Sequence, residues 1–142
     1  MIKPLLPIVL AAIFLLLSLL HMSWALGNTW GLQSAIPQNG AGQNVLNPSS
    51  IDCVIVGLGL FALATFYILK SGLTSYSMHK WLNYSGSVII AVLFFLRAVG
   101  DFKYVGFFKK VTTSNFAHLD TYYYSPLCLF LAIAAVVILL QD

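Results

Sequence analysis

Arg97 and Asp101 are the residues whose types and spacing point most directly to chemistry. They lie four residues apart in FFLRAVGDFKYVGFFKK, residues 94–110, and Tyr104 follows three residues after Asp101. If the preceding helix continues that far, all three side chains share one face. A guanidinium can bind a carboxylate or phosphate with two hydrogen bonds, and a nearby carboxylate would orient it. The spacing therefore predicts either a structural Arg97–Asp101 ion pair or an anion-binding site.

The stretch HMSWALG, residues 21–27, places a histidine and a tryptophan at the end of an apolar run. His21 and Trp24 are three residues apart and share a helical face. A tryptophan at this position is typical of the membrane–water interface. A single histidine there is typical of a structural hydrogen bond, with Asp101 or Asp120 as the expected partner. Both residues are candidates for lining a site.

A third polar stretch, FAHLDTYYYSPLCL, covers residues 116–129 and leads into another apolar run. Asp120 is positioned to cap a helix, and so is Ser125 with Pro126 as the first helical residue. Spacings of four residues predict that Asp120, Tyr124 and Cys128 form one helical stripe. Asp120 and Tyr124 are therefore further candidate ligand-binding residues.

No motif in the chain indicates a particular reaction. The sequence contains no Glu, no H-E-x-x-H, no G-x-S-x-G and no phosphate-binding loop. No Cys/His cluster has zinc spacing, so we predict no metal site and leave catalytic residues and cofactor unknown. Cys53 and Cys128 are expected to be free thiols, with a disulfide as the alternative if they face an oxidising compartment.

The composition is that of a membrane protein. Of the 142 residues, 60% are hydrophobic and 8% are charged, whereas soluble domains carry about a quarter charged residues. The net charge of +3 is small, and no basic run is interleaved with exposed aromatic residues. We therefore expect membrane lipid as a partner and no nucleic acid. Oligomeric state and protein partners are left open.

Four apolar blocks are each long enough to cross a bilayer, which takes roughly 20 mostly apolar helical residues. They lie at 5–26, 51–70, 82–99 and 122–140. Backbone groups in lipid must be hydrogen-bonded within the segment, so these blocks predict helices. The predicted fold class is all-α, an integral membrane four-transmembrane-helix bundle in a single domain over 1–142. The predicted domain also contains a polar loop at 27–50 and a charged interfacial segment at 100–121. Ser49 and Asp52 have the spacing of a capping box at the start of the second span.

The first apolar block has an alternative interpretation as a cleaved signal peptide. Lys3 precedes the apolar run, and the small residues Ser23 and Ala25 resemble a cleavage site. The run is long for a signal peptide, and bulky Trp24 would lie within the cleavage site. We therefore favour a transmembrane helix.

The distribution of positive charge predicts how the chain is threaded. One side of the membrane would hold Lys3, Lys70 and Lys80, whereas the 27–50 loop contains no Lys or Arg. The positive-inside rule then predicts a multi-pass cell-membrane protein with both termini in the cytoplasm. Lys103, Lys109 and Lys110 would lie outside, against that rule, so we expect them to have a local partner or task.

The chain resembles the DUF3995 family of small bacterial membrane proteins. The resemblance rests on HMSWALG, LRAVGDFKYVGFFKK and FAHLDTYYYSPLCL, which occur in this order and span most of the chain. It implies a small multi-pass membrane protein with four helices, and it implies no activity. The matching positions are His21, Trp24, Gly27, Arg97, Gly100, Asp101, Tyr104, Gly106, Phe107, Asp120, Tyr124, Ser125 and Pro126.

These observations lead to a hypothesis about function with two alternatives. We expect a polar pocket at one membrane face that binds an anionic or amphipathic small molecule, such as a lipid headgroup. One alternative is a membrane enzyme acting on a lipid or isoprenoid, with His21 and Asp101 or Asp120 as acid and base. The other is an accessory subunit of a larger complex, with Phe107, Phe108, Lys109 and Lys110 exposed.

Overall fold

The computed structural model describes residues 5–141, and this part of the chain is helical throughout apart from its connections. The α-helices are α1 (Leu5–Ala25), α2 (Leu32–Ala35), α3 (Ser50–Lys70), α4 (Lys80–Val99), α5 (Asn115–Leu119) and α6 (Ser125–Gln141). A π-helical turn, Asp120–Tyr124, joins α5 to α6 without a break in the helix. An isolated β-bridge between Gln38 and Asn44 is the extended pairing within 5–141.

Four helical segments are long and apolar enough to cross a membrane: Leu5–Ala25, Ser50–Lys70, Lys80–Val99 and Asn115–Gln141. Their side chains leave much apolar surface exposed, as expected for helices that face lipid. The prediction of an all-α chain with four membrane-spanning helices is therefore confirmed. The prediction of one domain over 1–142 stays a prediction.

The chain divides into two compact units, and helices α4 and α6 each contribute residues to both. The described residues of the first unit lie within 1–28, 48–88 and 134–142. Here α1 packs against α3. Phe14 and Tyr67 are both fully buried and stack with their ring centroids 5.9 Å apart. Ser18 Oγ donates a hydrogen bond to Gly57 O at 2.7 Å, so α1 and α3 are close at a glycine.

The second unit comprises 29–47 and 89–133. Helix α2 packs against α5, and Asn115 Nδ2 lies 3.4 Å from Ser34 Oγ. Tyr124 donates its phenolic hydrogen to Ser34 O at 3.2 Å. These bonds connect the polar 29–47 segment to the last helical segment of the chain, and this unit contains the charged cluster described below.

The start of the last span differs from the sequence prediction. Helix α5 begins at Asn115, with Ser114 as its N-cap and Ala117 N donating to Ser114 Oγ at 3.1 Å. Neither Asp120 nor Ser125 therefore caps the helix. Pro126 would place its ring against the Tyr122 carbonyl in a continuous α-helix. The wider π turn that precedes Pro126 gives the backbone room at that point.

The beginning of α3 follows the sequence closely. Ser49 Oγ accepts a hydrogen bond from Asp52 N at 3.3 Å, and Ser49 N donates to Asp52 Oδ2 at 2.8 Å. The predicted capping box is confirmed. Asp52 therefore has a structural role at the helix end.

Candidate functional site

Asp120 is the centre of the charged cluster in the second unit. Its side chain is 0% exposed, although it belongs to a segment expected to be interfacial. Oδ1 accepts a hydrogen bond from Arg97 Nη2 at 2.9 Å. Oδ2 accepts from Gly106 N at 2.8 Å and from Lys109 Nζ at 3.1 Å. A buried carboxylate needs such partners, because an uncompensated charge is costly away from water.

Lys109 is buried and fully hydrogen-bonded. Its side chain is 2% exposed, and Nζ donates to Asp120, to Gly106 O at 3.0 Å and to Thr121 Oγ1 at 2.6 Å. These three acceptors match the three donors of an ammonium group. Lys109 therefore has a structural function, connecting the 100–111 turn to the π turn.

Arg97 is held less completely than Lys109. Its Nη2 makes the single bond to Asp120, while Nη1 is buried and has no hydrogen-bond partner. The side chain as a whole is 32% exposed. A guanidinium has five N–H donors, so Arg97 keeps donor capacity for a further group. Among the described cations of this cluster, Arg97 is the one with a nitrogen that has no hydrogen-bond partner.

The predicted pairing of Arg97 with Asp101 is wrong. Helix α4 ends at Val99, and Gly100 follows with a left-handed φ of +91°. Asp101 and Tyr104 are therefore off the helix, and the spacing of four residues no longer places them on the face of Arg97. Asp120, from a distant part of the chain, takes the role expected of Asp101.

Asp101 instead organises the turn that follows α4. Its Oδ1 accepts hydrogen bonds from the backbone N–H groups of Lys103, Tyr104 and Val105 at 2.9, 2.7 and 2.9 Å. Partial burial raises the pKa of this carboxyl, but the three N–H bonds stabilise the charged form and bring the pKa below its ordinary value. This arrangement is typical of a carboxylate that stabilises a turn.

Two glycines close the 100–111 turn on itself. Gly100 and Gly106 both have positive φ, of +91° and +90°. A Cβ on Gly100 would overlap Val105 O, and one on Gly106 would overlap Val99 O. Phe107 N donates to Ala98 O at 2.8 Å, which gives a carbonyl in the last turn of α4 a partner. Close backbone approach therefore explains both glycines.

The π turn changes the register of the predicted stripe of Asp120, Tyr124 and Cys128 but does not separate its members, because the charge of Asp120 acts on both Tyr124 and Cys128. In that turn Ser125 N donates to Asp120 O, so residues five apart, not four, are stacked. Ser125 is fully buried and its Oγ has no hydrogen-bond partner. Tyr124 points its hydroxyl to Ser34 O, and its ring lies 6.0 Å from that of Phe116.

His21 and Trp24 belong to α1, in the first unit. Their rings make an edge contact with centroids 4.8 Å apart, which confirms that they share a face. His21 Nδ1 lies 2.8 Å from Leu17 O in the preceding turn. The hydrogen bond shown for His21 is thus made within its own helix and not to Asp101 or Asp120, the partners expected from the sequence. Tyr104 is half-buried, and Lys103 Nζ lies 5.0 Å from the centroid of its ring.

Sequence reasoning missed the roles of Lys109, Gly106 and Thr121. Lys109 did carry a signal, because a lysine on the side disfavoured by the positive-inside rule was expected to have a local partner. Gly106 and Thr121 carried no comparable signal. Their contacts with the Asp120–Lys109 pair depend on how the turn folds back on the helix.

Within residues 5–141, no three or more His, Cys, Asp or Glu side chains converge into a group that could hold a metal ion. Cys53 and Cys128 are free thiols.

The comparisons with known proteins point to one family. A family model described as "Protein of unknown function (DUF3995)" matches residues 14–135. No curated protein and no solved structure matches the chain. The family match includes the three stretches discussed above and both units in large part. The chain therefore belongs to the DUF3995 family.

Proposed function

We propose that this multi-pass membrane protein binds the anionic group of an amphipathic small molecule, with a lipid headgroup as the first candidate. Arg97 would hold the anion and Asp120 would orient Arg97. Tyr104 and Tyr124 remain proposed ligand-binding residues in the same unit, and Asp101 would shape the neighbouring turn. His21 and Trp24 remain proposed ligand-binding residues on α1, in the other unit.

The single observation that supports this proposal is the buried, unpartnered Nη1 of Arg97. A buried donor without a partner costs about 1–3 kcal/mol, and more for a charged group. The rest of the side chain is partly exposed. An anion that reaches this exposed part would give the guanidinium a second acceptor after a small rotation. Ionisable residues near the bilayer that persist despite such a cost are by default functional candidates.

The charge of the cluster also favours an anion. Arg97 and Lys109 provide two positive charges, and Asp120 provides one negative charge. Asp101 binds backbone N–H groups of its own turn. The net charge of these three side chains is therefore +1. Arg97 is the cation with unused N–H donors, because all three N–H donors of Lys109 are hydrogen-bonded.

We propose that the protein lies in the cell membrane with both termini in the cytoplasm. The lysines of the 100–121 segment had opposed this orientation. Lys109 is now seen to be buried and paired with Asp120. Lys109 thus has the local partner expected of a lysine on the disfavoured side, whereas Lys103 and Lys110 remain exposed. The proposed orientation rests on Lys3, Lys70 and Lys80 on one side and a 27–50 loop without Lys or Arg on the other.

The geometry supports binding better than acid–base catalysis. The oxygens of Asp120 accept hydrogen bonds from Arg97, Lys109 and the Gly106 amide. Oδ1 of Asp101 accepts hydrogen bonds from three backbone amides of its own turn. The accessory-subunit alternative expected Lys109 to be exposed, whereas it is buried. Phe107, Phe108 and Lys110 are exposed, as that alternative expected.

Short-chain phosphatidic acid, added to purified detergent-solubilised protein, provides the test. We expect it to raise the unfolding temperature of the wild type, and short-chain phosphatidylcholine to have little effect. Arg97→Gln should weaken this stabilisation, because Lys109 and Gly106 still hold Asp120 while the guanidinium that would bind the phosphate is gone. Arg97→Lys should retain only part of it, since an ammonium cannot bind the phosphate through a planar fork.

Lys80→Gln is the matched control, because it removes an exposed positive charge from the start of α4. It should leave the stabilisation unchanged. Equal stabilisation of the wild type and Arg97→Gln would contradict the proposal.

A further inference from the structure

We propose that the turn between α4 and α5 forms a second, separate site that binds anionic phospholipid at the membrane surface. Lys103 and Lys110 would hold the phosphate, and Phe102 and Phe108 would contact its apolar neighbourhood. The four side chains lie outside the Arg97–Asp120–Lys109 cluster, so this inference does not depend on the proposed function.

Hydrogen bonds hold the backbone of the turn that carries these side chains. Asp101 accepts hydrogen bonds from three consecutive N–H groups. The close approach of Gly100 and Gly106 closes the turn at its base. Lys109 and Gly106 attach it to the buried Asp120. Because hydrogen bonds already hold the backbone of the turn, binding of a ligand costs little further backbone conformational entropy.

Backbone hydrogen bonds bring the two lysines together. Lys110 N and Val111 N both donate to Lys103 O, at 3.1 and 2.9 Å. Lys103 and Lys110 are exposed, whereas Lys109 between them in sequence is buried. The fold thus sorts the lysines, placing one in the interior and two at the surface. Lys103 Nζ lies 5.0 Å from the centroid of the Tyr104 ring, and Lys110 leaves the backbone next to Lys103. Two exposed lysines on neighbouring stretches of backbone attract a phosphodiester.

Two phenylalanine rings accompany the lysines. Phe102 is 57% exposed and Phe108 is 63% exposed, and their ring centroids lie 6.3 Å apart. Phe102 has a φ of +62°, in the left-handed region that bulky residues avoid. Such a conformation is strained for a residue with a side chain and often occurs at functional sites. Here it occurs together with exposure of a large apolar side chain.

The position of the turn identifies the ligand as a phospholipid rather than free phosphate. The turn connects the spans Lys80–Val99 and Asn115–Gln141 directly, so it lies at the depth of the headgroups. Free phosphate would use the lysines and leave both rings in water. A phospholipid satisfies both parts, since its phosphate meets the cations and its glycerol and upper acyl region meet the rings.

The experiment uses the full chain in nanodiscs of phosphatidylcholine mixed with phosphatidylglycerol, and native mass spectrometry of the lipids retained after extraction. Wild type should retain phosphatidylglycerol in preference to phosphatidylcholine. The double variant Lys103→Gln/Lys110→Gln should lower this preference by about tenfold to thirtyfold, since each lysine near an anionic surface contributes about 1 kcal/mol. Raising the salt concentration should weaken the wild-type preference in the same direction.

Lys80→Gln is again the charge control and should keep the preference. Phe108→Ala should reduce retention, and Phe61→Ala, which removes a comparably exposed ring from α3, should not. In an Arg97→Gln background, the remaining preference for phosphatidylglycerol should still weaken with added salt and fall further with Lys103→Gln/Lys110→Gln, so the two proposals can fail separately. The proposal is overturned if the double-lysine variant retains phosphatidylglycerol as the wild type does. It is also overturned if Lys80→Gln lowers the preference for phosphatidylglycerol as much as the double-lysine variant does. Inorganic phosphate that displaces the lipid at millimolar concentration would also overturn it.

Discussion

Asp120 shows how one buried carboxylate can determine the roles of several residues. It binds Arg97 and Lys109, which come from opposite ends of the 97–109 segment, and it also accepts the Gly106 amide. Lys109 is satisfied by this arrangement, whereas Arg97 keeps a buried donor without a partner. The cluster is therefore both a structural element and a candidate site.

Asp120→Asn should destabilise the protein strongly. The change leaves Arg97 and Lys109 without their counter-charge, and removing one partner of a buried pair costs about 3–5 kcal/mol. Chemical unfolding in detergent, compared with the wild type, measures this loss. Asp52→Asn changes an exposed capping carboxylate and should cost much less. Equal losses of stability for the two variants would mean that the buried cluster stabilises the protein no more than the exposed cap does.

Asp101 should make stability depend on pH in the acid range. Slight burial raises the pKa, but the turn amides outweigh it, so the folded pKa lies below the unfolded value of about 4. The carboxylate's contribution is therefore complete above that value and is lost as the pH falls through the folded pKa. Asp101→Ala should cost about 1–2 kcal/mol at neutral pH. The difference from the wild type should shrink below about pH 4, and a constant difference across a pH series of unfolding curves would contradict this assignment.

At the scale of elements, the 100–111 turn and the π turn together decide where the polar groups go. The turn ends α4 before Asp101, and the π turn shifts the register between Asp120 and Ser125. Each irregularity changes which side chains are neighbours. Regular helical spacing could therefore not predict the cluster.

The closed turn predicts a large effect of a single methyl group. Gly106→Ala places a Cβ against Val99 O and adds a left-handed strain, so it should cost about 3 kcal/mol or more. Gly72→Ala is the matched control, because Gly72 also has a positive φ of +76° but open space around it. It should cost only about 1–2 kcal/mol, as expected for a left-handed residue alone. Thermal unfolding of both variants separates the two contributions, and a Gly106 effect no larger than that of Gly72 would rule out the close approach.

The contact between α1 and α3 makes a similar prediction in the first unit. A Cβ on Gly57 would lie 2.8 Å from Met22 Sδ, whereas one on Gly59 meets nothing within 4 Å. Gly57→Val should therefore cost about 1–3 kcal/mol through overpacking. Gly59→Val should be close to neutral in the same unfolding assay. Equal tolerance of both substitutions would show that this close contact is not maintained.

For the whole molecule, the testable quantity is orientation in the membrane. In a variant without native thiols, Cys53→Ser/Cys128→Ser, an added Gly40→Cys should react with a membrane-impermeant maleimide in intact cells. Thr74→Cys should react only after the membrane is permeabilised. The reason is that the 27–50 loop has no Lys or Arg, whereas Lys70 and Lys80 flank Thr74. The reverse labelling pattern would reject the proposed orientation.

The four spans could be read from the sequence, because a bilayer demands about 20 apolar residues with internal hydrogen bonds and composition alone reveals such segments. The Ser49–Asp52 capping box could be read too, since its contacts are local. The residues near Arg97 could be recognised from the sequence as candidate site residues, because a charge beside an apolar run is energetically costly.

Only the tertiary structure decided which of these residues pair. Arg97 binds Asp120, 23 positions away, and not Asp101, four positions away. The physical reason is that a left-handed glycine ended the helix at one place and a π turn shifted the register at another. Burial then favoured the carboxylate that could collect two cations and an amide. The sequence determined that charges would gather near residue 100, and long-range folding decided which of them are paired and that Arg97 keeps a donor without an acceptor.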